Sequence, residues 1–210
     1  MIYLDIETLD FFQDPHIKAL PRAQQLAAMR FGLAVTYDDY RNFTQTWLPH
    51  QIIDLYHYLV WCHQPVVGWN INAFDLPVIV ANARRAGHNT IEIEYETITT
   101  IDLFDQIRQT TGRWYSLGAV AEANLTLTKL ADGQQAATWL RSGDPADLQK
   151  AIEYCTADVQ IVRQLHAKLR SGEHFILPHR LDRQELNTLH WRPEGYVQWI
   201  PDPLGDISTR

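Results

Sequence analysis

Ile2-Tyr3-Leu4-Asp5-Ile6-Glu7-Thr8 opens the chain as an apolar run interrupted by two acids. Residues 2–6 have the short, continuous apolar character of a buried strand. In a strand, positions i and i+2 share a face, so Asp5 and Glu7 present both carboxylates to one side. Acids set in an apolar run are costly to bury unless something binds them. The stretch therefore marks the first strand of the fold and the place to look for chemistry.

Working outward, 31–37 and 42–48 read as two further strands, joined through Asp38-Asp39-Tyr40-Arg41 as a hairpin. Apolar residues at Ile52, Leu55, Tyr58, Leu59 and Cys62 have helical spacing. Residues 65–69 read as a fourth strand, 74–86 as a helix, 97–101 as a fifth strand and 103–109 as a helix. Short helices are expected over 116–123 and 134–141, and a last long one from Asp144-Pro145 to about Leu169. The stretch from Leu9 to Arg30 is too long for a hairpin turn; it hangs beside the first strand, with a helix expected over 21–29. Phe175-Ile176-Leu177 and 196–200 are candidate added strands. This order predicts an α/β fold, a mixed and mostly parallel sheet with helices on both faces.

Two more acidic motifs answer the first. Asp75 ends Gly68-Trp69-Asn70-Ile71-Asn72-Ala73-Phe74-Asp75, at a strand-to-helix junction where α/β sheets place ligand groups. Tyr154 and Asp158 are four apart on the long helix and share a face. Taken singly, these are a solvated edge, a helix cap, a core tyrosine and a surface acid. Taken together, three elements deliver acids that can converge. Two carboxylates about 4 Å apart repel by roughly 4 kcal/mol at an effective dielectric near 20. Hard divalent ions relieve that repulsion, so two ions, Mg²⁺ or Mn²⁺, are the expected cofactors.

Composition sets bounds. The chain has 210 residues, 46% of them hydrophobic and 11% aromatic, enough for one domain with a sizeable core. Its apolar stretches fall short of a membrane span, and its start lacks the basic and apolar regions of an export signal. Two cysteines, Cys62 and Cys155, make no disulfide framework. Together these features give the expectation of a cytoplasmic protein with no membrane partner. A net charge of −7 disfavours tight binding to long duplexes.

Asp5-Ile6-Glu7, the run from Asn70 to Asp75, and Tyr154-Cys155-Thr156-Ala157-Asp158 resemble the three motifs of the DEDD superfamily of 3′–5′ exonucleases, in its tyrosine (DEDDy) form. The likeness is to the proofreading exonuclease domain of family B DNA polymerases and its stand-alone or helicase-linked relatives. The histidine form needs His five residues before Asp158, where this chain has Glu153. Ser116-Leu117-Gly118-Ala119-Val120-Ala121, Lys129 and the helix around Tyr154 extend the likeness to about residue 170.

The resemblance implies a ribonuclease H-like fold, a mixed five-stranded sheet flanked by helices, over residues 1–172; 173–210, which carries no family pattern, is expected to be a C-terminal extension with added strands and a loose tail. It implies that Asp5, Glu7 and Asp158 hold the first ion, that Asp5 also reaches the second, and that Asp75 acts on it through water. Tyr154 then positions the nucleophilic water. Backbone groups of Thr8 and Leu9 meet the terminal nucleotide, and Asn70 and Phe74 line the floor beside the scissile phosphate. The implied activity is hydrolysis of single-stranded DNA or RNA 3′ ends to nucleoside 5′-monophosphates, with a helicase or polymerase as the partner that supplies ends. Phe11, Phe12 and Trp69 are candidates to stack on bases, with a core role the equal alternative for Trp69. Lys18, Arg22 and Arg30 are candidates for phosphate contacts or a solvated face, and Arg84-Arg85 are expected to face water. An endonuclease on the same fold and a non-catalytic nucleic-acid-binding or partner-docking module remain open at this stage.

Overall fold

The computed structural model describes residues 1–88, 98–125, 133–173, 175–178 and 183–186. β1 (Ile2–Thr8) is the central strand. β2 (Phe31–Asp38) runs antiparallel along it, and β3 (Phe43–Trp47) runs antiparallel to β2. Asp38 makes their turn: one of its carboxylate oxygens accepts the backbone N–H groups of Tyr40 and Arg41 at 2.9 and 3.0 Å. On the other side, β4 (Val66–Gly68) and β5 (Thr100–Asp102) add in parallel. The five-strand order is β3-β2-β1-β4-β5. The mixed five-stranded sheet is as expected, but it is not mostly parallel: two pairings are antiparallel and two parallel. The long excursion from Leu9 to Arg30 brings the chain back antiparallel beside β1, and the hairpin that follows adds the second antiparallel pair.

Strand alternation divides the core. Ile2, Leu4 and Ile6 face one layer, with Leu55, Leu59, Leu76 and Ile79. Those partners lie on α3 (Ile52–Trp61) and α4 (Asp75–Arg85). The short α1 (Pro15–Lys18), not foreseen from sequence, and α2 (Arg22–Ala28) join this side through Ile17 and Leu26. Tyr3 faces the opposite layer, with Val35, Val67, Ile107, Val120 and Val162. That layer holds α5 (Leu103–Thr111), α6 (Leu117–Asn124), α7 (Gly133–Ser142) and the 27-residue α8 (Pro145–Ser171).

α8 begins where Asp144 accepts the Ala146 N–H at 2.8 Å, with Pro145 in the first turn, and ends at left-handed Gly172. Its buried residues recur every three to four positions, from Ala151 through Tyr154, Cys155, Asp158, Val162 and Leu165 to Leu169. β6 (Phe175–Pro178) pairs with β7 (Arg183–Leu186) in a separate two-stranded ribbon. Phe175 and Leu177 bury themselves in the α8 layer, and Asn124 on α6 accepts the Ile176 N–H at 2.8 Å. The expectations for residue 97, Lys129, 196–200 and the loose tail lie outside the described residues.

Arg85 adds a role to its sequence reading. It is exposed, as expected, but its guanidinium also donates to the carbonyls of Ala27 and Met29 and to Asn82, tying the end of α2 to α4. A guanidinium presents several donors in a fixed fork, which suits it to the exposed carbonyls of a helix C-terminus.

Candidate metal centre

Asp5 and Glu7 leave β1 on the face covered by α8. Asp158, on α8, meets them: one carboxylate oxygen from each of Asp5, Glu7 and Asp158 lies within 4.8 Å of the others. Asp158 and Glu7 are buried, at 5% and 9% exposure, and Asp5 is half-buried. The β1–β2 register slips between Glu7 and Thr8, so the strand is irregular at the acid pair. Gly32, on β2 opposite, keeps this region tight: a Cβ there would lie 2.9 Å from the Glu7 carbonyl oxygen and 2.6 Å from Leu140 on α7.

Tyr154 lies one helical turn before Asp158 and is buried. Its hydroxyl is pushed far above the usual tyrosine range by burial, then by the charges of Asp158, Glu7 and Asp5, and it hydrogen-bonds Asp158. Asp75 is the first residue of α4, not the helix cap that is the plain reading of its position. Its Oδ1 accepts the Ile6 N–H at 3.2 Å, which docks the start of α4 against β1. Burial, then the Asp5 and Asp102 charges, push its carboxyl well above the usual range. Asp75 thus stands beside Asp5 without belonging to the group of three convergent acids.

The loop that delivers Asp75 needs two unusual backbone features. A Cβ on Gly68 would lie 2.0 Å from Ile71 Cγ2 and 2.9 Å from the Leu4 carbonyl, so only glycine lets the loop approach β1. Asn70 adopts φ +63, a left-handed conformation that Asn tolerates. Asn70 and Phe74 are half-buried, and Phe74 packs edge-on against Phe12 at 6.0 Å. Trp69 packs against the α8-side core, its core alternative, and meets Phe104 edge-on at 5.9 Å.

Two residues of this region were not singled out from sequence. Cys155 is fully buried, with Sγ 3.3 Å from both the carbonyl oxygen and Oδ2 of Asp5. Burial, then Asp5 and Glu7, raise the thiol well above its usual range, so it stays protonated and donates to Asp5. Its position one after Tyr154 and three before Asp158 was a helical-face signal available in the sequence. Asp102 ends β5 and caps α5. Its carboxylate accepts the N–H groups of Asn70 (2.8 Å), Asn72 (3.0 Å), Phe104 (3.1 Å) and Asp105 (3.3 Å). One side chain thereby holds the Asp75 loop to the sheet. Burial outweighs those donors and raises Asp102 to about 6. The signal was an acid immediately before a helix start.

A second gathering of groups lies along the segment after β1. Asp10 is buried and receives Arg30 through one guanidinium edge, Nη2 at 2.7 Å and Nε at 3.0 Å, and through the Arg30 backbone N–H at 2.8 Å. His16 adds a contact at 3.2 Å. Burial works to raise Asp10, but the Arg30 hydrogen bonds and charge prevail and hold it below the usual range. Arg141, from α7, donates to the Leu9 carbonyl, pairs with Asp14 and lies over the Phe11 ring at 5.0 Å. Thr8 Oγ1 donates to the Asp10 carbonyl at 2.8 Å. The Thr8–Leu9 backbone is therefore fixed from both sides. Arg30, a candidate phosphate contact, is instead committed to Asp10, and Arg22 lies over the Phe12 ring at 4.1 Å.

Residues 2–170 match a family model of the RNase H superfamily, and the chain belongs to that superfamily. No curated protein matches the chain. No helix among the described residues is long and apolar enough to cross a membrane. The donor set of Asp5, Glu7 and Asp158 is all carboxylate oxygen and suits a hard divalent cation.

Proposed function

We propose that this chain is a metal-dependent 3′–5′ exonuclease of the DEDD type that hydrolyses phosphodiester bonds at single-stranded DNA or RNA ends and releases nucleoside 5′-monophosphates. The observation that carries the reading is Tyr154, buried beside Asp5, Glu7 and Asp158 and one turn before the last of them. Three acids alone fit many RNase H-superfamily chemistries; the added tyrosine is what the DEDDy resemblance requires.

Asp5, Glu7 and Asp158 would hold one divalent ion, with Asp5 and Asp75 serving a second; Mg²⁺ and Mn²⁺ match the oxygen donors. When bound, the ions lower the pKa of water and neutralise charge at the attacking and leaving oxygens. Tyr154, pushed above its ordinary range, keeps its proton at neutral pH, so it orients a water by hydrogen bonding rather than acting as a base. Cys155, also protonated, steadies the Asp5 carboxylate. Thr8 offers backbone groups to the terminal nucleotide, with Leu9 engaged through its N–H by the Arg30 carbonyl and through its carbonyl by Arg141 and so holding that segment in place, and Asn70 and Phe74 form the floor beside its phosphate. A helicase or polymerase that exposes single-stranded ends is the partner this reading implies.

The test is a time course on end-labelled single-stranded DNA and RNA oligomers with Mn²⁺, with a circular single strand in parallel. The expected result is stepwise shortening from the 3′ end with mononucleotide product and intact circles. Cleaved circles would move the protein to the endonucleases, and binding without turnover would make it a non-catalytic module.

A further inference from the structure

The acidic cluster accounts for a reacting phosphate but not for the rest of a strand. A 3′-terminal nucleotide has nothing beyond it, so any further base contact falls on the nucleotides upstream. An aromatic path leaves the loop that delivers Asp75. Trp69 immediately precedes the Asn70–Asp75 loop, Phe104 meets it edge-on, and Trp114 meets Phe104 at 5.0 Å. Gly112, at φ +68, ends α5 and lets the chain fold back, which brings Trp114 over the Phe104–Arg108 side of that helix.

Trp114 remains 69% exposed, with the Arg108 guanidinium 5.2 Å from its ring centroid. Beside it opens a cavity of about 660 Å³ whose lining includes Arg113, Trp114, Tyr115 and Ser116. Asp105 pairs with Arg108 at 3.4 Å, whereas Arg113 has no ion pair among the described residues. These three charged side chains sum to one positive charge in a chain whose net charge is −7. Tyr40 and Phe43 are comparably exposed but lie on the β2–β3 hairpin, at the far edge of the sheet.

Resting on the exonuclease reading of the acidic site, we propose that Trp114, Arg108 and Arg113 form a stacking shelf for unpaired bases upstream of the scissile bond, and that the occupant is single-stranded nucleic acid. The exposed indole face stacks on a base, which tolerates any sequence, and the guanidinium groups meet the flanking phosphates.

The test is anisotropy of labelled oligothymidylate and oligouridylate with the full chain in EDTA, so that cleavage does not enter the reading. Wild type is expected to bind, and Trp114→Ala to bind about tenfold more weakly. Trp114→Phe should retain most of the affinity. Arg113→Glu should weaken binding and reduce the slope of log affinity against log salt by about one. Phe43→Ala should bind as wild type does. Unchanged binding by Trp114→Ala and Arg113→Glu, or no binding by wild type, would overturn the shelf. Failure of catalysis with the shelf intact would show as binding without product, and failure of the shelf alone as 3′-end digestion that these variants leave unaltered.

Discussion

The two acidic gatherings beside β1 differ in what answers their charge. Around Asp10, Asp14 and His16 the answer is Arg30 and Arg141, and both carboxyls are held below their usual range. Around Asp5, Glu7 and Asp158 the shifts run the other way: Asp75, Tyr154 and Cys155 are all driven upward, with the neighbouring acids among the causes. Both groups pass a geometric test for converging metal ligands. Geometry therefore does not separate them; charge does. A guanidinium-matched cluster braces a loop, and an acid-loaded one is strained in a way that cations relieve.

The largest effect that could break this comparison is on turnover. Asp158→Ala should lower nucleotide release by about a thousandfold or more, the scale of losing metal-borne charge stabilisation. Equal activity in a clean preparation would remove the inner cluster from catalysis.

The next effect isolates the opposite sign on the same helix. His166 is buried on α8, where the Tyr3 hydroxyl lies 3.0 Å from Nδ1, and burial lowers it to about 4. Its folded pKa lies below its unfolded value, so it withdraws stability as pH falls from about 6.5 towards 4, where only the unfolded state takes up the proton. Asp75 and Asp102, raised on folding, add stability over the same fall. His166→Gln should therefore retain about 3 kcal/mol more than wild type across that window, relative to its own value at neutral pH. Urea unfolding at a series of pH values measures it, and parallel profiles would contradict the burial argument.

Metal comes third. Mn²⁺ or Mg²⁺ at about a hundred times its dissociation constant should stabilise the fold by about 2.7 kcal/mol. Asp5→Asn should lose most of that gain and Asp10→Asn almost none. A gain that disappears with Asp10→Asn would reverse the assignment of the two clusters. The smallest effect is Arg30→Ala. Removing one partner of a buried pair costs about 3–5 kcal/mol, but Arg30 is 60% exposed at its side chain, and solvent screening reduces the expected loss to about 2 kcal/mol. The metal response should survive it.

Much of the inner site was legible because direction is written in local spacing. Asp5 and Glu7 share a face by the period of a strand, and Tyr154 and Asp158 by the period of a helix. The strand–hairpin–helix order likewise indicated the mixed sheet, though not its equal division between parallel and antiparallel pairs, because spacing carries no information about which edge a returning strand joins. Cys155, Asp102 and Arg141 were not read as parts of the site. Their partners lie 150, 32 and 132 positions away in the chain, at Asp5, Asn70 and Leu9.

The sequence by itself determined which acids lie on common faces and that burying them would strain the fold. Only the tertiary structure decided which acids meet arginine and which meet one another. Side-chain direction follows from a few neighbouring dihedral angles, whereas charge matching depends on partners beyond local spacing, from Arg30, 20 positions past Asp10, to groups on α7 and α8 more than a hundred residues away.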